Sequence, residues 1–339
     1  MVAKMTIYTL ARELNMTPSM VSRAFNPNAR ISEEKRRLVL ETAEKYHFSP
    51  NRHASRLSMK PIRLGILLCS RFQVNTDKMI AGIREAHEAL RGYKIDYEIT
   101  VLTPETPLDE VRGILEGYRD CDGILLSGMS RSEYTEMIDD LYRENPNIVQ
   151  VQAINREARC LFSSEHNEAR ASGLASDFLY QCLRRGERKN VLLFTGDLRS
   201  TVHREASEAF RACCERLGMT LLDTVDMHDN EDYFESILPA VLEKYGKETD
   251  GIYITSGLSL PLCRALEVAG LTPPLVAFDT HDGIVDYMRR GVISAAISQN
   301  VKGQMKVAFS TLVSHLITDE PCPPILYTEV QLKLNTNIK

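Results

Sequence analysis

From Ile62 to Ser298 the chain repeats one pattern: a short β-rich run, usually apolar on consecutive residues, followed by an amphipathic helical stretch. A strand with one wet face needs apolar residues only at every second position. Consecutive apolar residues suit a parallel strand covered by helices on both faces, so the class is α/β. The strand candidates are Arg63–Cys69, Ile95–Val101, Asp122–Ser127 and Ile148–Ala153, then Asn190–Thr195, Thr220–Val225, Asp250–Thr255, Leu275–Phe278 and Val292–Ser298. Helices are expected near Lys78–Leu90, Leu108–Tyr118 and Ser132–Arg143, and again between the strands of the second series. DGILLSG at 122–128 is echoed by DGIYITSG at 250–257, which points to duplicated architecture. Two similar open sheets in tandem imply two lobes with a cleft between them and ligand groups on loops at the strand C-terminal ends. One lobe is expected over about 61–156 plus a late crossover near 300–325. The other is expected over about 157–299 plus the C-terminal strands.

The remaining sequence differs in charge. Residues 1–60 carry 11 Lys and Arg against 5 Glu and no Asp, while the other 279 residues carry 30 against 41. The overall −5 therefore hides a basic head on an acidic body, and a basic head is a candidate polyanion binder. No run approaches the ~18 uncharged apolar residues of a bilayer span, and the N-terminus lacks the apolar stretch of a secretion signal, so no membrane association is expected and the cytoplasm is the default address. The eight cysteines show no C-x-x-C spacing, which argues against zinc and fits reduced thiols. There is no Ser-His-Asp or Cys-His motif, Gly-rich phosphate loop or H-x-x-x-H pair, so neither catalysis nor a metal or cofactor is expected.

Within the head, Ile7, Leu10, Ala11 and Leu14 share one helical stripe after Thr6, a potential N-cap. Asn15 tolerates the left-handed conformation that ends a helix in a tight turn. Thr17-Pro18 then starts a second helix, with a hydroxyl for the orphan N–H groups and a proline where the missing donor costs nothing. Val21, Ala24 and Phe25 form its inner face, leaving Pro18, Ser19, Met20, Ser22, Arg23 and Asn26 outside or along the edges. A third helix after Ser32 carries Val39, Ala43 and Tyr46 inward. Two short helices joined by a tight turn and backed by a third form either a helix-turn-helix, whose second helix fits the DNA major groove, or a small bundle that binds protein. The following segment, 51–60, is polar and basic but places Leu57 at its centre without an evident partner.

The stretch IYTLARELNMTPSMVSRAFN (7–26), followed some 24 residues later by PNRHASRL (50–57), resembles the lactose and galactose repressor family of bacterial transcription regulators, and the likeness extends over nearly the whole chain. It implies a lambda-repressor-like three-helix domain at 1–49, a hinge at 50–60 that folds on cognate DNA, and a two-lobed, periplasmic-binding-protein-like effector domain of parallel sheets at 61–339. The resemblance puts Thr6, Thr17, Pro18, Ser19, Ser22, Arg23 and Asn26 at double-stranded operator DNA, together with Asn51, Arg52 and Ala54. Leu57 falls on the leucine that wedges into the minor groove, where unstacking a base step is offset by contacts the kinked duplex permits. Asn15 replaces the usual turn glycine.

The same resemblance assigns effector contacts to Ser70, Arg71 and Phe72 after the first strand, to His166 (or Asn167), Arg204 and Ser256, to Asp279 as the sugar-hydroxyl-binding carboxylate and to Gln299 near the hinge. Two positions depart from the family. Ala206 stands where a ligand-clamping arginine is usual, leaving Arg204 as a substitute, and His166 or Asn167 replaces an aspartate. The expected protein is thus a homodimeric regulator whose operator affinity responds to a sugar or sugar derivative in the cleft. The other readings weighed are a degenerate or non-sugar pocket, a sugar-binding transport receptor and a cleft enzyme.

Overall fold

The computed structural model describes residues 7–25, 31–46, 48 and 60–338. Two compact units divide near Pro61.

The head consists of α1 (Ile7–Glu13), α2 (Pro18–Ala24) and α3 (Glu33–Lys45). Leu10, Ala11, Val21, Ala24, Val39 and Ala43 are its buried core, with Leu14, Met16, Phe25, Ile31 and Phe48 packed around them. The turn between α1 and α2 is made as the sequence indicates: Asn15 adopts φ 52°, and Met16 N donates to Ala11 O. Thr17 Oγ1 accepts from Met20 N at 3.2 Å, capping α2 ahead of Pro18. The Tyr46 hydroxyl donates to Glu13 at 2.6 Å, so the end of α3 is tied to α1 by a polar contact rather than by core burial. Thr6, Asn26, Asn51, Arg52, Ala54 and Leu57 lie outside the described residues, and for Ser22 only the backbone, within α2, is described.

The body contains two six-stranded sheets. The first lobe is built from β1 (Ile62–Cys69), α4 (Gln73–Ala89), β2 (Ile95–Leu102), α5 (Leu108–Gly117), β3 (Gly123–Ser127), α6 (Thr135–Glu144), β4 (Ile148–Val151) and β5 (Phe162–His166), completed by β11 (Ile325–Thr328). Its strand order is β11-β5-β4-β3-β1-β2, all parallel. The second lobe holds α7 (Glu168–Leu183), β6 (Asn190–Thr195), α8 (Thr201–Leu217), β7 (Thr220–Asp226), α9 (Glu231–Tyr245), β8 (Gly251–Ile254), α10 (Ser259–Ala269), β9 (Leu275–Phe278), α11 (Asp282–Arg289) and β10 (Ala295–Ser298). There the order is β12-β10-β9-β8-β6-β7, with only β12 (Gln331–Lys333) antiparallel. The helix α12 (Val301–Thr318) returns to pack on α4 in the first lobe. No helix among the described residues is long and apolar enough to cross a membrane.

Two strands fall in the other lobe from the one expected. β5 lies at 162–166, beyond the 156 boundary, yet belongs to the first sheet, and β11 joins that sheet while only β12 joins the second. β5 escapes a hydrophobicity pattern because four of its five residues are polar. All five are nevertheless buried, and the sheet tolerates them by local pairing. Ser163 Oγ donates to Glu165, Ser164 Oγ to Gln304 O, and Arg156 grips Glu165 through two nitrogens. The chain consequently passes between lobes at 166–168, 298–301 and 328–331. A second difference concerns α4, which starts at Gln73 rather than near Lys78 and so brings its first turn to the end of β1.

Candidate functional site

The C-terminal ends of strands from both sheets face a cleft of about 170 Å³. Its walls on one side come from the segments after β1 (Ser70, Arg71, Phe72) and β3 (Ser130, Arg131) and from the last residue of β5 (His166). Asp197, His203, Asp229 and Ser256 follow strands of the other lobe. The lobes touch directly across it. Arg131 Nη2 lies 3.0 Å from Asp197 Oδ2, and the hydroxyls of Ser130 and Ser200 are 2.7 Å apart. Arg71 Nη1 donates to Asp229 O at 2.8 Å, and Thr201 Oγ1 to Ile154 O at 2.6 Å. Farther out, Arg156 links Glu165 of the first lobe to Glu205 of the second.

His203 and Asp229 form the central pair of the second lobe, with Nε2 3.0 Å from Oδ2. Ser256 Oγ donates to the other carboxylate oxygen at 2.7 Å, and Asp197 N to Oδ2 at 3.2 Å. The pair sits directly over Gly196, where a Cβ would fall on the His203 ring and on Asp229 Oδ1. Burial opposes charge on His203, but Asp229, with help from Glu168 and Asp197, outweighs it and holds the imidazole pKa above its ordinary value. Burial likewise disfavours the Asp229 carboxylate, and His203 and Ser256 reverse that, keeping its pKa far below the usual carboxylate range. His166 repeats the theme: burial opposes its charge, and Glu168, Asp279 and Glu165 raise its pKa nonetheless. Its Nε2 is 2.8 Å from Glu168 Oε1 but out of line for a hydrogen bond, so that contact is chiefly electrostatic. Burial pushes the Cys69 thiol up to about 11, so at neutral pH it faces the cleft as a neutral group rather than a thiolate.

The residues assigned to the cleft from sequence separate into three groups. Ser70, Arg71, Phe72, His166, Ser256 and Gln299 line it. Asp279 stands one layer behind, with φ 66°, accepting from Gln299 Nε2 at 3.0 and 3.1 Å; its carboxylate braces the glutamine amide rather than forming the wall. Arg204 is placed elsewhere: its Nη1 donates to Leu198 O and Arg199 O, each at 3.0 Å, closing the exposed end of the β6–α8 loop. Helical geometry explains that correction. His203 and Ala206 are three positions apart and share a face, whereas Arg204 is rotated about 100° away from His203. Ala206 itself is buried at 1% exposure, and its carbonyl accepts from Ser172 Oγ. Sequence reasoning missed Arg131, Asp197, His203 and Asp229. Their one legible signal was position, since Arg131, Asp197 and Asp229 fall within four residues of a strand's C-terminal end and His203 lies in the first turn of the helix after β6.

In the head, Thr17, Pro18, Ser19 and Arg23 lie on or beside α2; Arg23 is exposed in its last turn. The short turn fixed by Asn15 and the buried Leu10–Val21–Val39 core set the direction of that exposed face.

Residues 74–320 match the periplasmic binding protein domain family. Catabolite control protein B of Bacillus subtilis (strain 168) is 27% identical over 230 residues, 66% of this chain and 70% of that protein. The HTH-type transcriptional regulator pepR1 of Lactobacillus delbrueckii subsp. lactis is 24% identical over 227 residues, 65% of each. Among solved structures, GanP, a glucose-galactose binding protein from Geobacillus stearothermophilus, superposes with a TM-score of 0.72 at 16% identity, covering 82% of this chain and 99% of that one. The helix-turn-helix head and the periplasmic binding protein domain, taken with these relatives, make this chain a member of the lactose and galactose repressor family.

Proposed function

We propose that the protein is a sequence-specific DNA-binding transcriptional regulator, acting as a repressor, whose operator affinity is controlled by a sugar or sugar derivative bound between the lobes. The observation that carries this reading is one chain joining a capped helix-turn-helix to a two-lobed domain whose cleft is lined with paired polar groups. In this reading α2 enters the major groove with Thr17, Pro18, Ser19, Ser22, Arg23 and Asn26 at bases or phosphates. Thr6, Asn51, Arg52 and Ala54 support it on the backbone, and Leu57 opens a minor-groove step. A homodimer presents two such heads to a pseudo-palindromic site, because the two-fold symmetry of the protein is mirrored in the DNA.

Coupling would run through the crossovers. His166 ends the strand before the first passage between lobes, and Gln299 lies in the second, so a ligand touching either also touches the segments about which the lobes reorient. The effect is a coupling free energy, and operator DNA must change effector affinity by the same factor. Burial keeps the Cys69 thiol protonated, and the Ser256 hydroxyl donates to Asp229, whose lowered pKa makes it too weak a base to activate a nucleophile, which supports binding rather than turnover.

The deciding experiment selects operator sequences from random DNA with the full-length protein and measures affinity for the selected site with and without cleft ligands. Enrichment of a two-fold site, with a ligand-dependent shift of at least about fivefold, is expected. Failure to prefer any sequence would defeat the reading.

A further inference from the structure

Seven buried side-chain nitrogen and oxygen atoms lack a partner among the described residues, and four of them belong to cleft residues. These are Arg71 Nε, both ring nitrogens of His166, of which Nε2 has only its electrostatic contact with Glu168, and His203 Nδ1. Four carboxylates in or behind the cleft wall are in the opposite condition. Asp229 is taken by His203, Ser256 and a backbone N–H; Asp197 by Arg131 and Arg199; Glu105 by Arg71; and Asp279 by Gln299. A neutral sugar hydroxyl both donates and accepts, and would want free carboxylates as well as donors. Among the fully buried cleft atoms, those left without a hydrogen-bond partner are all nitrogens.

Two further features have the same sign. The helices α4 and α8 begin at the cleft, and neither N-cap residue, Phe72 or Ser200, gives a side-chain oxygen to its first-turn N–H groups. The positive ends of both helices therefore lie at the same cleft as the residues that carry the unpartnered nitrogens. His166 is 4% exposed, which makes its unpartnered Nδ1 costly unless something occupies it.

Building on the effector-site reading above, we propose that the cleft ligand is a small anionic sugar derivative whose oxyanion is held by Arg71 and His166 from one lobe and His203 from the other. Phosphate and carboxylate share this chemistry. The cleft volume of about 170 Å³ is below the ~300 Å³ where drug-sized sites begin, which limits the ligand to one small ring or open chain with its charged group. The carboxylate neighbours favour the protonated form of both histidines despite burial, and in that form each ring nitrogen is a donor.

The test is calorimetric titration of the full-length protein with ribose 5-phosphate, gluconate and inorganic phosphate, beside ribose and glucose. At least one oxyanion should bind at least about tenfold more tightly than either neutral sugar. Whether ribose 5-phosphate or gluconate leads distinguishes a phosphoryl from a carboxyl ligand. His203→Gln and His166→Gln should each weaken oxyanion binding about tenfold or more, while Arg211→Gln, on the exposed face of α8, should leave it unchanged. Should one histidine variant fail to unfold cooperatively, the other carries the comparison. Rising salt should weaken oxyanion binding in the wild-type protein and leave neutral-sugar binding unaffected. Neutral sugars binding as well as the oxyanions, or no oxyanion binding at all, would overturn the proposal. Affinity for the selected DNA is measured on the same samples. A DNA response to a neutral sugar would preserve the regulator and sink the anionic ligand, and oxyanion binding with unchanged DNA affinity would do the reverse.

Discussion

Arg131 crosses from the first lobe to place its Nη2 3.0 Å from Asp197 Oδ2 in the second, and the two side chains are 14% and 3% exposed. Asp197 also receives Arg199, whose side chain is mostly exposed, so the buried carboxylate has one anchor in its own lobe and one in the other. Removing Arg131 leaves it partly paired. We expect Arg131→Ala to lower unfolding free energy by about 1.5–3 kcal/mol, as for a lost hydrogen bond to a charged group. Small-angle scattering should show a more open body. Unchanged stability together with an unchanged scattering profile would mean that this contact does not hold the lobes together.

Gly196 lies under the His203–Asp229 pair with no room for a side chain. Gly196→Ala is expected to displace the pair and destabilise the fold by about 1–3 kcal/mol, the usual cost of forcing a methyl group into packed surroundings. Denaturant unfolding gives the energy. The imidazole resonance of His203 reports whether the pair has parted.

The histidine pKa shifts fix a direction of pH dependence. His203 and His166 titrate above 6.5 in the folded protein, so the stability they contribute is fully present below about pH 6.5 and is lost as pH rises through their folded values. His281 works against them: burial first, then Lys78, lowers its pKa, so it destabilises the fold as pH falls below 6.5. Unfolding measured between pH 6 and 9 should therefore show declining stability in the wild-type protein. His203→Gln should have a shallower decline, and an identical slope in that variant would dissociate His203 from the effect.

Arg23 is the exposed cation of α2. If it grips a guanine through two nitrogens, Arg23→Ala should cost about 1–3 kcal/mol at the selected operator and much less on random duplex. Fluorescence anisotropy on both duplexes checks this, and equal losses on the two would reduce Arg23 to a backbone contact.

Sequence by itself determined the class of each unit. Consecutive apolar runs such as RLGILLC and NVLLFT can be buried only on both faces, and the Leu10–Ala11, Val21–Ala24 and Val39–Ala43 stripes can be buried only against each other. Asn15 and Thr17-Pro18 act within a few bonds of themselves, so the turn and the start of α2 were legible locally. Cleft residues after β1, such as Ser70, Arg71 and Phe72, were reachable because strand C-terminal ends are where such folds place their ligand groups.

Tertiary structure alone decided what those residues pair with. The polar run Phe162–His166 does not announce an interior strand, because its side chains are satisfied by Arg156, nine residues back, and by Gln304 far along the chain. Arg204 and His203 are neighbours in sequence, but helix rotation sends one to a surface loop and the other into the cleft. The charge balance of the cleft depends on Asp229, Asp197 and Asp279 each being consumed by a partner between 20 and 66 residues away, and such pairings follow from the register of two sheets rather than from any local pattern.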